Sequence, residues 1–537
     1  MAFGDLRRSL PRVLLASLLA AASALAGVRP TPAQVALHAL QQDIRIAGVL
    51  RSLAEGASHG IVLFRNVRAI DAVAETVTPG QSVLVRNSTI SWVGDAAQEP
   101  QTPGAVIVDG GGRFLSPGLV DMHVHSEAAA GWLLQLANGV TAVREMDGFP
   151  WLLKFRNGVS ARRILAPSLY VAGTIINAAA LEGYAVMPRN VLDARRLVRQ
   201  QAACGYDFIK VHNIVPQPML DAIGDEAAKL GLDVVGHVPH DVTVRHAVEH
   251  GMRTMEHLKG FLDDGTLQWG DKDYAAAVDG PEVWNTPTLY ANRANLRGAE
   301  ARAVLDGPQA RYVPLRKRLQ WSRSIDQLED DLGPTRREAA VIMKQIVGRL
   351  VGVHARFLAG TDADGYPFQV MGFGLVDEIQ LLCDAGLSPA AAMRAATSEP
   401  ARAMRVVDEF GTIRRGMRAD LILLEDNPLE HASAFSSNQG VMAHGYWLAH
   451  RSLDAALEKL AAIEAEPDAA VEVSPRTGAE TFVLARKEVD AGFVFDTMEL
   501  EELAAALRKA GLAKLAADFE GLAEVPRDGP CAEELPK

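Results

Sequence analysis

The sequence predicts an α/β protein: a (β/α)8 TIM barrel, a small β-sandwich built from both chain ends, and a C-terminal extension. Three observations carry this. Apolar runs of strand length end near His125, Glu145, Gly173, His212, Val238, His257, Leu289 and Thr361. Helical stretches separate most of them, such as Leu192 to Cys204, Leu220 to Leu230 and Val242 to Gly251. Eight alternating units suit a closed barrel, whereas an open doubly wound sheet usually has fewer. Finally, β texture brackets the alternating region. Ile61-Val62-Leu63-Phe64, Ser82-Val83-Leu84-Val85 and Thr89-Ile90-Ser91-Trp92-Val93 precede it; Asp420 to Leu424, Gly440-Val441-Met442 and Tyr446-Trp447-Leu448 follow.

At 537 residues the chain exceeds the usual size of one domain. The expected division is a signal peptide over 1–26 and an N-terminal linker over 27–59. A composite β-sandwich follows from 60–116 and 401–456, then a barrel over 117–400 and an extension over 457–537. In the leader, Arg7, Arg8 and Arg12 form a basic start, Val13 to Ala22 is apolar, and Ala24-Leu25-Ala26 supplies a small-x-small cleavage site. The apolar stretch is short of the roughly 20 residues that span a bilayer, so cleavage leaves no integral span. The predicted location is exported, periplasmic or secreted, by the Sec route or, on Arg7-Arg8, the twin-arginine route. The Ala- and Gln-rich linker admits a short helix and carries no chemistry, and the extension reads as a strand-like patch at Thr481 to Leu484 and an amphipathic helix from Leu500 to Leu515. The long connection from Leu289 to Phe357 suggests extra helices near the barrel mouth.

The net charge of -12 argues against nucleic acid or an anionic membrane surface as partner. Cys204, Cys383 and Cys531 are odd in number and scattered, giving neither a disulfide framework nor a CxxC metal signature.

In such a barrel, residues at the C-terminal strand ends face the site. There the sequence places His123, His125, Lys210, His237, His257 and Asp362. His123-Val124-His125 closes an apolar strand, and alternation turns both imidazoles to one face, a pair suited to zinc or a similar divalent ion. His237 and His257 close later strands in the same way. Asp362 alone would suit a helix cap; with four histidines it joins the site. Lys210 closes Asp207-Phe208-Ile209. A protonated amine is disfavoured beside divalent cations, whereas the neutral amine can take up carbon dioxide as a carbamate. A lysine paired with a barrel carboxylate is the alternative. Arg144 and Arg293 are candidates for a substrate carboxylate, Tyr290 and His240 for a carbonyl oxygen.

These strings resemble the amidohydrolase superfamily, in its imidazolonepropionase-like and Xaa-Pro dipeptidase branch. They are Ser116-Pro117-Gly118-Leu119-Val120-Asp121-Met122-His123-Val124-His125, Gly139 to Arg144, Phe208 to Val211, Val235-Gly236-His237-Val238-Pro239, Met255-Glu256-His257-Leu258 and Ala359-Gly360-Thr361-Asp362-Ala363. Ala395-Ala396-Thr397, Gly416 to Leu421 and Asn427-Pro428-Leu429 extend the match over roughly Gly60 to Ala456. The resemblance implies two divalent metals, zinc by preference. His123 and His125 would hold one and His237 and His257 the other, with carboxylated Lys210 bridging and Asp362 on the first ion as proton shuttle. The chain departs from it after the third barrel strand, where Gly173 to Ala180 replaces a Gly-Gly-His-like turn. The expected activity is hydrolysis of amide bonds in dipeptides or N-acyl amino acids. The alternatives are a mononuclear cyclic-amide hydrolase or deaminase, and an exported non-catalytic binding protein. A small-molecule substrate is the expected partner, and a homo-oligomer is compatible with the sequence.

Overall fold

The computed structural model describes residues 30–125, 128–181, 185–261, 282–327, 333–468, 471–490, 493–495 and 497–522; the leader and Cys531 lie outside them. Eight parallel strands form the barrel: Leu119–Val124, Val140–Glu145, Ser168–Val171, Phe208–Val211, Asp233–Gly236, Met252–Glu256, Trp284–Thr286 and Arg356–Phe357. Two parallel bridges, Ala172 to Phe208 and Val124 to Ala363, close the ring. Val120, Met122, Phe208, Val235, Trp284 and Leu358 fill the interior, joined by Ala401, Met404 and Phe410 from beyond the last strand. Helices Val191–Cys204, Gln217–Leu230 and Val244–Glu249 alternate with the strands as the periodicity requires, and the long connection holds Gly298–Asp306, Leu315–Gln327 and Gly333–Gly352.

The two β-rich ends form one hydrogen-bonded sheet of eight strands. Its junction is the antiparallel pairing of Phe114–Pro117 with Leu421–Leu424, Leu115 opposite Leu423. Alternation divides the latter strand: Leu421 and Leu423 face the sheet's own core with Val62, Phe64 and Val83, while Ile422 and Leu424 join the larger core shared with the barrel. Three strands separate Ile61–Asp71 from Tyr446–Ala449 in the sheet order. Phe64 and Trp447 nonetheless meet edge-on with ring centroids 5.1 Å apart, so the sheet curls back over that core.

The chain ends differ from expectation. The described part of the segment read as a linker holds a 25-residue helix, Pro32–Gly56, longer than the short one its composition admits. Thr31 accepts from the Gln34 backbone while the Gln34 side chain accepts from Thr31 N, a capping box with Pro32 in the first turn. Leu37, Leu40, Ile44 and Leu50 are buried on one face, and the glutamines explain the rest of the composition. Gln34 Nε2 donates to Val471 O (3.0 Å), Gln41 Nε2 to Thr481 Oγ1 (2.8 Å) and Gln42 Nε2 to Ile463 O (3.0 Å). This helix packs on His450–Glu464, Pro475–Asp490 and Thr497–Lys509. The patch Thr481 to Leu484 is therefore helix, not strand: Thr481 and Ala485, one turn apart, are buried, and Val483 and Leu484 face solvent. The helix expected over Leu500 to Leu515 is two, Thr497–Lys509 and Ala513–Glu520. Cys383 is free. Among the described residues no helix is long and apolar enough to cross a membrane.

Candidate active site

The first barrel strand is buried throughout and delivers His123 to the mouth with no exposed surface. His123 Nε2 lies 3.4 Å from both Asp362 Oδ1 and Lys210 Nζ. His125 Nε2 lies 3.1 Å from the same Asp362 oxygen, and His257 Nδ1 3.8 Å from Asp362 Oδ2. The rings of His237 and His257 are 4.8 Å apart, those of His123 and His257 4.5 Å. The six residues, from five strand ends, thus form one continuous cluster. Its tightest part is His123, His257 and Asp362, whose ligand atoms lie within 4.8 Å of one another.

Backbone geometry makes this convergence feasible. His257 and Asp362 both take left-handed backbone angles, φ 59° and 58°, costly for side chains with a Cβ. Asp362 caps no helix, since the next one begins at Phe373. A Cβ at Gly360 would lie 2.7 Å from Thr286 Cγ2 and 2.9 Å from His123 N, so only glycine brings the last strand this close to His123. Gly236, at φ 120°, spares Lys210 in the same way: a Cβ there would meet Val211 O and Lys210 Cδ.

Burial sets the protonation states. It holds the imidazoles of His123 and His237 well below the usual histidine range and that of His257 down to about 4, leaving them in the neutral form that binds metals. Burial would raise the Asp362 carboxyl, but His257, His125 and His123 together draw it well below the carboxylate range. Burial also lowers the Lys210 ammonium, against the pull of Glu256, Asp362 and Asp147. Neutral nitrogen donors, one ionised carboxylate and a lysine biased toward its free amine fit a divalent metal site.

Several contributors went unread in the sequence. Glu256 sets the orientation of His123, its Oε2 2.9 Å from His123 Nδ1. Its Oε1 accepts from Arg144 (2.7 Å) and Thr254 Oγ1 (2.5 Å). Asp121, buried and pushed up to about 7 by that burial, accepts from Thr361 N (3.0 Å) and Thr361 Oγ1 (2.7 Å) and so ties the first strand to the last. His212 lies against His237 with ring centroids 3.9 Å apart and planes tilted by 34°, and burial lowers it to about 3. Lys210-Val211-His212 repeats the spacing of His123-Val124-His125, the signal that could have found it. Asn213 Oδ1 and Thr288 Oγ1 hold His237 Nδ1 and His257 Nδ1 at 2.7 Å each, as second partners of metal-binding histidines usually do.

The expected substrate residues fare differently. Arg144 is not at the rim: it is 1 % exposed and bonds Met122 O (2.7 Å), Thr254 Oγ1 (2.8 Å) and Glu256 inside the barrel, so no substrate carboxylate reaches it. Tyr290 is buried, its hydroxyl accepting from Val370 N (2.9 Å). Arg293 lies over the Tyr290 ring and pairs with Asp377 at 2.8 Å. His240 is exposed in the loop after Asp233–Gly236. A cavity of about 870 Å³ opens beside His125 and Asp362, lined further by Asp147, Ile175, His212 and Asp364. The terminal helices supply Gln42, Asp43, Glu464 and Glu499 to its wall.

The Arg144–Glu256 pair yields a direct test. Glu256→Gln strands a buried guanidinium without its counter-charge and should lower unfolding free energy by about 3–5 kcal/mol in denaturant titration. A loss below about 1 kcal/mol would show that the pair does not support the interior.

Comparison with known proteins identifies the family. The chain is 25% identical over 409 residues to an adenine deaminase of Rubrobacter xylanophilus, covering 71% of this chain and 57% of that enzyme's length. Among solved structures it resembles a bottromycin amidohydrolase, with TM-score 0.64 and 26% identity over 78% of this chain and 93% of the other. A Xaa-Pro dipeptidase crystallised with bound methionine shares the fold, at TM-score 0.56 and 19% identity over 73% of this chain and 100% of the other. The profile of the amidohydrolase family matches residues 114–448, and with that span covering more than half of the chain and every barrel strand, the chain belongs to the amidohydrolase family.

Proposed function

We propose that this enzyme is an exported hydrolase that uses two divalent ions, zinc by preference, to cleave amide bonds in dipeptides or N-acyl amino acids. The observation that carries the reading is the convergence of neutral, buried imidazoles, the ionised Asp362 and the buried Lys210 at one end of the barrel. His123, His125 and Asp362 would hold one ion, His237 and His257 the other. Lys210, biased toward its free amine by burial, would add carbon dioxide with loss of a proton, and the resulting carbamate would serve as a further anionic ligand. Such ions, when bound, would acidify water and polarise the carbonyl under attack. Asp362 accepts the proton of the attacking water and returns it to the leaving nitrogen. The hydrogen bond from His125 favours and aims its ionised carboxylate.

The cavity favours a small zwitterion. Its wall carries both signs of charge: Asp43, Asp147, Glu464 and Glu499, of which burial raises Asp147 to about 6 and Glu464 to about 7, and Arg316 and Lys317, the latter paired with Asp364. A dipeptide uses both signs; a neutral purine uses neither. The second reading, a deaminase, rests on the adenine deaminase similarity and needs the same addition of water at a C–N carbon. Ammonia release from adenine against amine release from a dipeptide library separates the two.

Export is supported by the leader's composition: a basic start, a short apolar stretch and a small-x-small site. N-terminal sequencing of exported protein should begin at Gly27, whereas an intact Met1 would mean an anchor.

For the chemistry, Asp362→Asn should preserve the fold and reduce turnover by about 10²- to 10⁴-fold, with metal content falling far less. Steady-state kinetics beside metal analysis make the comparison. Near-normal turnover would remove Asp362 from the proton path.

A further inference from the structure

A second group of ligand-type side chains lies on the helices outside the barrel. His246 sits in Val244–Glu249, and His250 caps that helix one turn later. The i,i+4 spacing puts both imidazoles on one face, stacked with centroids 4.2 Å apart at 21°. Asp221, from the preceding helix Gln217–Leu230, points between them. Its Oδ1 is 2.6 Å from His246 Nε2 and 3.5 Å from His250 Nδ1. Two nitrogens and one oxygen from two separate elements therefore face one point, all within 4.8 Å of each other. Gly224, three residues after Asp221, permits the approach, because a Cβ there would collide with the His250 carbonyl oxygen.

We infer that Asp221, His246 and His250 form a binding site for a zinc-class divalent cation, separate from the barrel mouth. Two imidazoles and a carboxylate are the donors such ions select. Tetrahedral bonds of 2.0–2.1 Å hold ligand atoms about 3.3 Å apart; the His250–Asp221 separation of 3.5 Å already fits. The closer His246–Asp221 contact opens as its shared proton leaves to solvent and both groups turn to the ion. A hydrogen bond to Asp221 accounts for His246 but not for a second imidazole stacked over the same oxygen. The three side chains are 22%, 33% and 33% exposed, which gives an ion access and leaves room for water as a further ligand. The two helices flank the strand Asp233–Gly236 that leads into His237. An ion here would staple the elements around one of the active-site histidines without touching substrate.

The test uses the full-length protein, stripped by chelator and dialysed to equilibrium against buffered micromolar zinc. Wild type should retain one equivalent more than His250→Ala and than Asp221→Asn. Zinc should raise its melting temperature further than theirs, with turnover of the zinc-loaded forms within about twofold. Equal zinc content in all three proteins overturns the site. So does an extra equivalent that persists in both variants. Measuring melting temperature before zinc addition identifies a variant that has simply lost its fold, and the other variant then decides.

Discussion

The active site depends on a charge pair buried where no water reaches. Arg144 and Glu256 lie inside the barrel at 1 % and 0 % exposure, and the desolvation cost is offset only because nearly every polar atom finds a partner. The guanidinium bonds Met122 O, Thr254 Oγ1 and Glu256, and the other Glu256 oxygen faces His123 Nδ1. This string fixes which nitrogen of His123 remains for the cluster. Glu256 also precedes His257 in the chain, so one strand end orients one site histidine and supplies another. Asp121, bonded to Thr361, performs the corresponding task at the seam where the barrel closes.

The barrel and the cluster were legible because both follow from alternation: an apolar strand that ends in a polar residue sends it to the mouth. Arg144 was misread as a rim residue although it lies within its strand, Val140–Glu145, where alternation turns it into the barrel interior. Glu256 stood in a quoted string without a role because its partner lies 112 residues earlier, a distance no local pattern spans. The helix Pro32–Gly56 had a readable start in Thr31-Pro32-Ala33-Gln34. The run Thr481-Phe482-Val483-Leu484 misled through its β-favouring residues, whose local preference is overridden by packing on the N-terminal helix and of Phe482 against Phe519.

The terminal helices change what the site can bind. A barrel alone leaves its mouth open to solvent. Here the N-terminal helix and the extension join each other and contribute acidic side chains to the wall of the cavity. This supports the reading of a small zwitterionic amide as substrate. It also gives a physical reason for two sequence segments that carried no chemistry of their own.

The central claim is that the six strand-end residues form one metal-binding unit, and anomalous X-ray diffraction from zinc-loaded crystals at the zinc edge tests it most directly. The account predicts two peaks about 3.5–4 Å apart, one beside His123, His125 and Asp362 and one beside His237 and His257, with density extending from Lys210 Nζ between them. A single peak, or none within the histidine cluster, would contradict it.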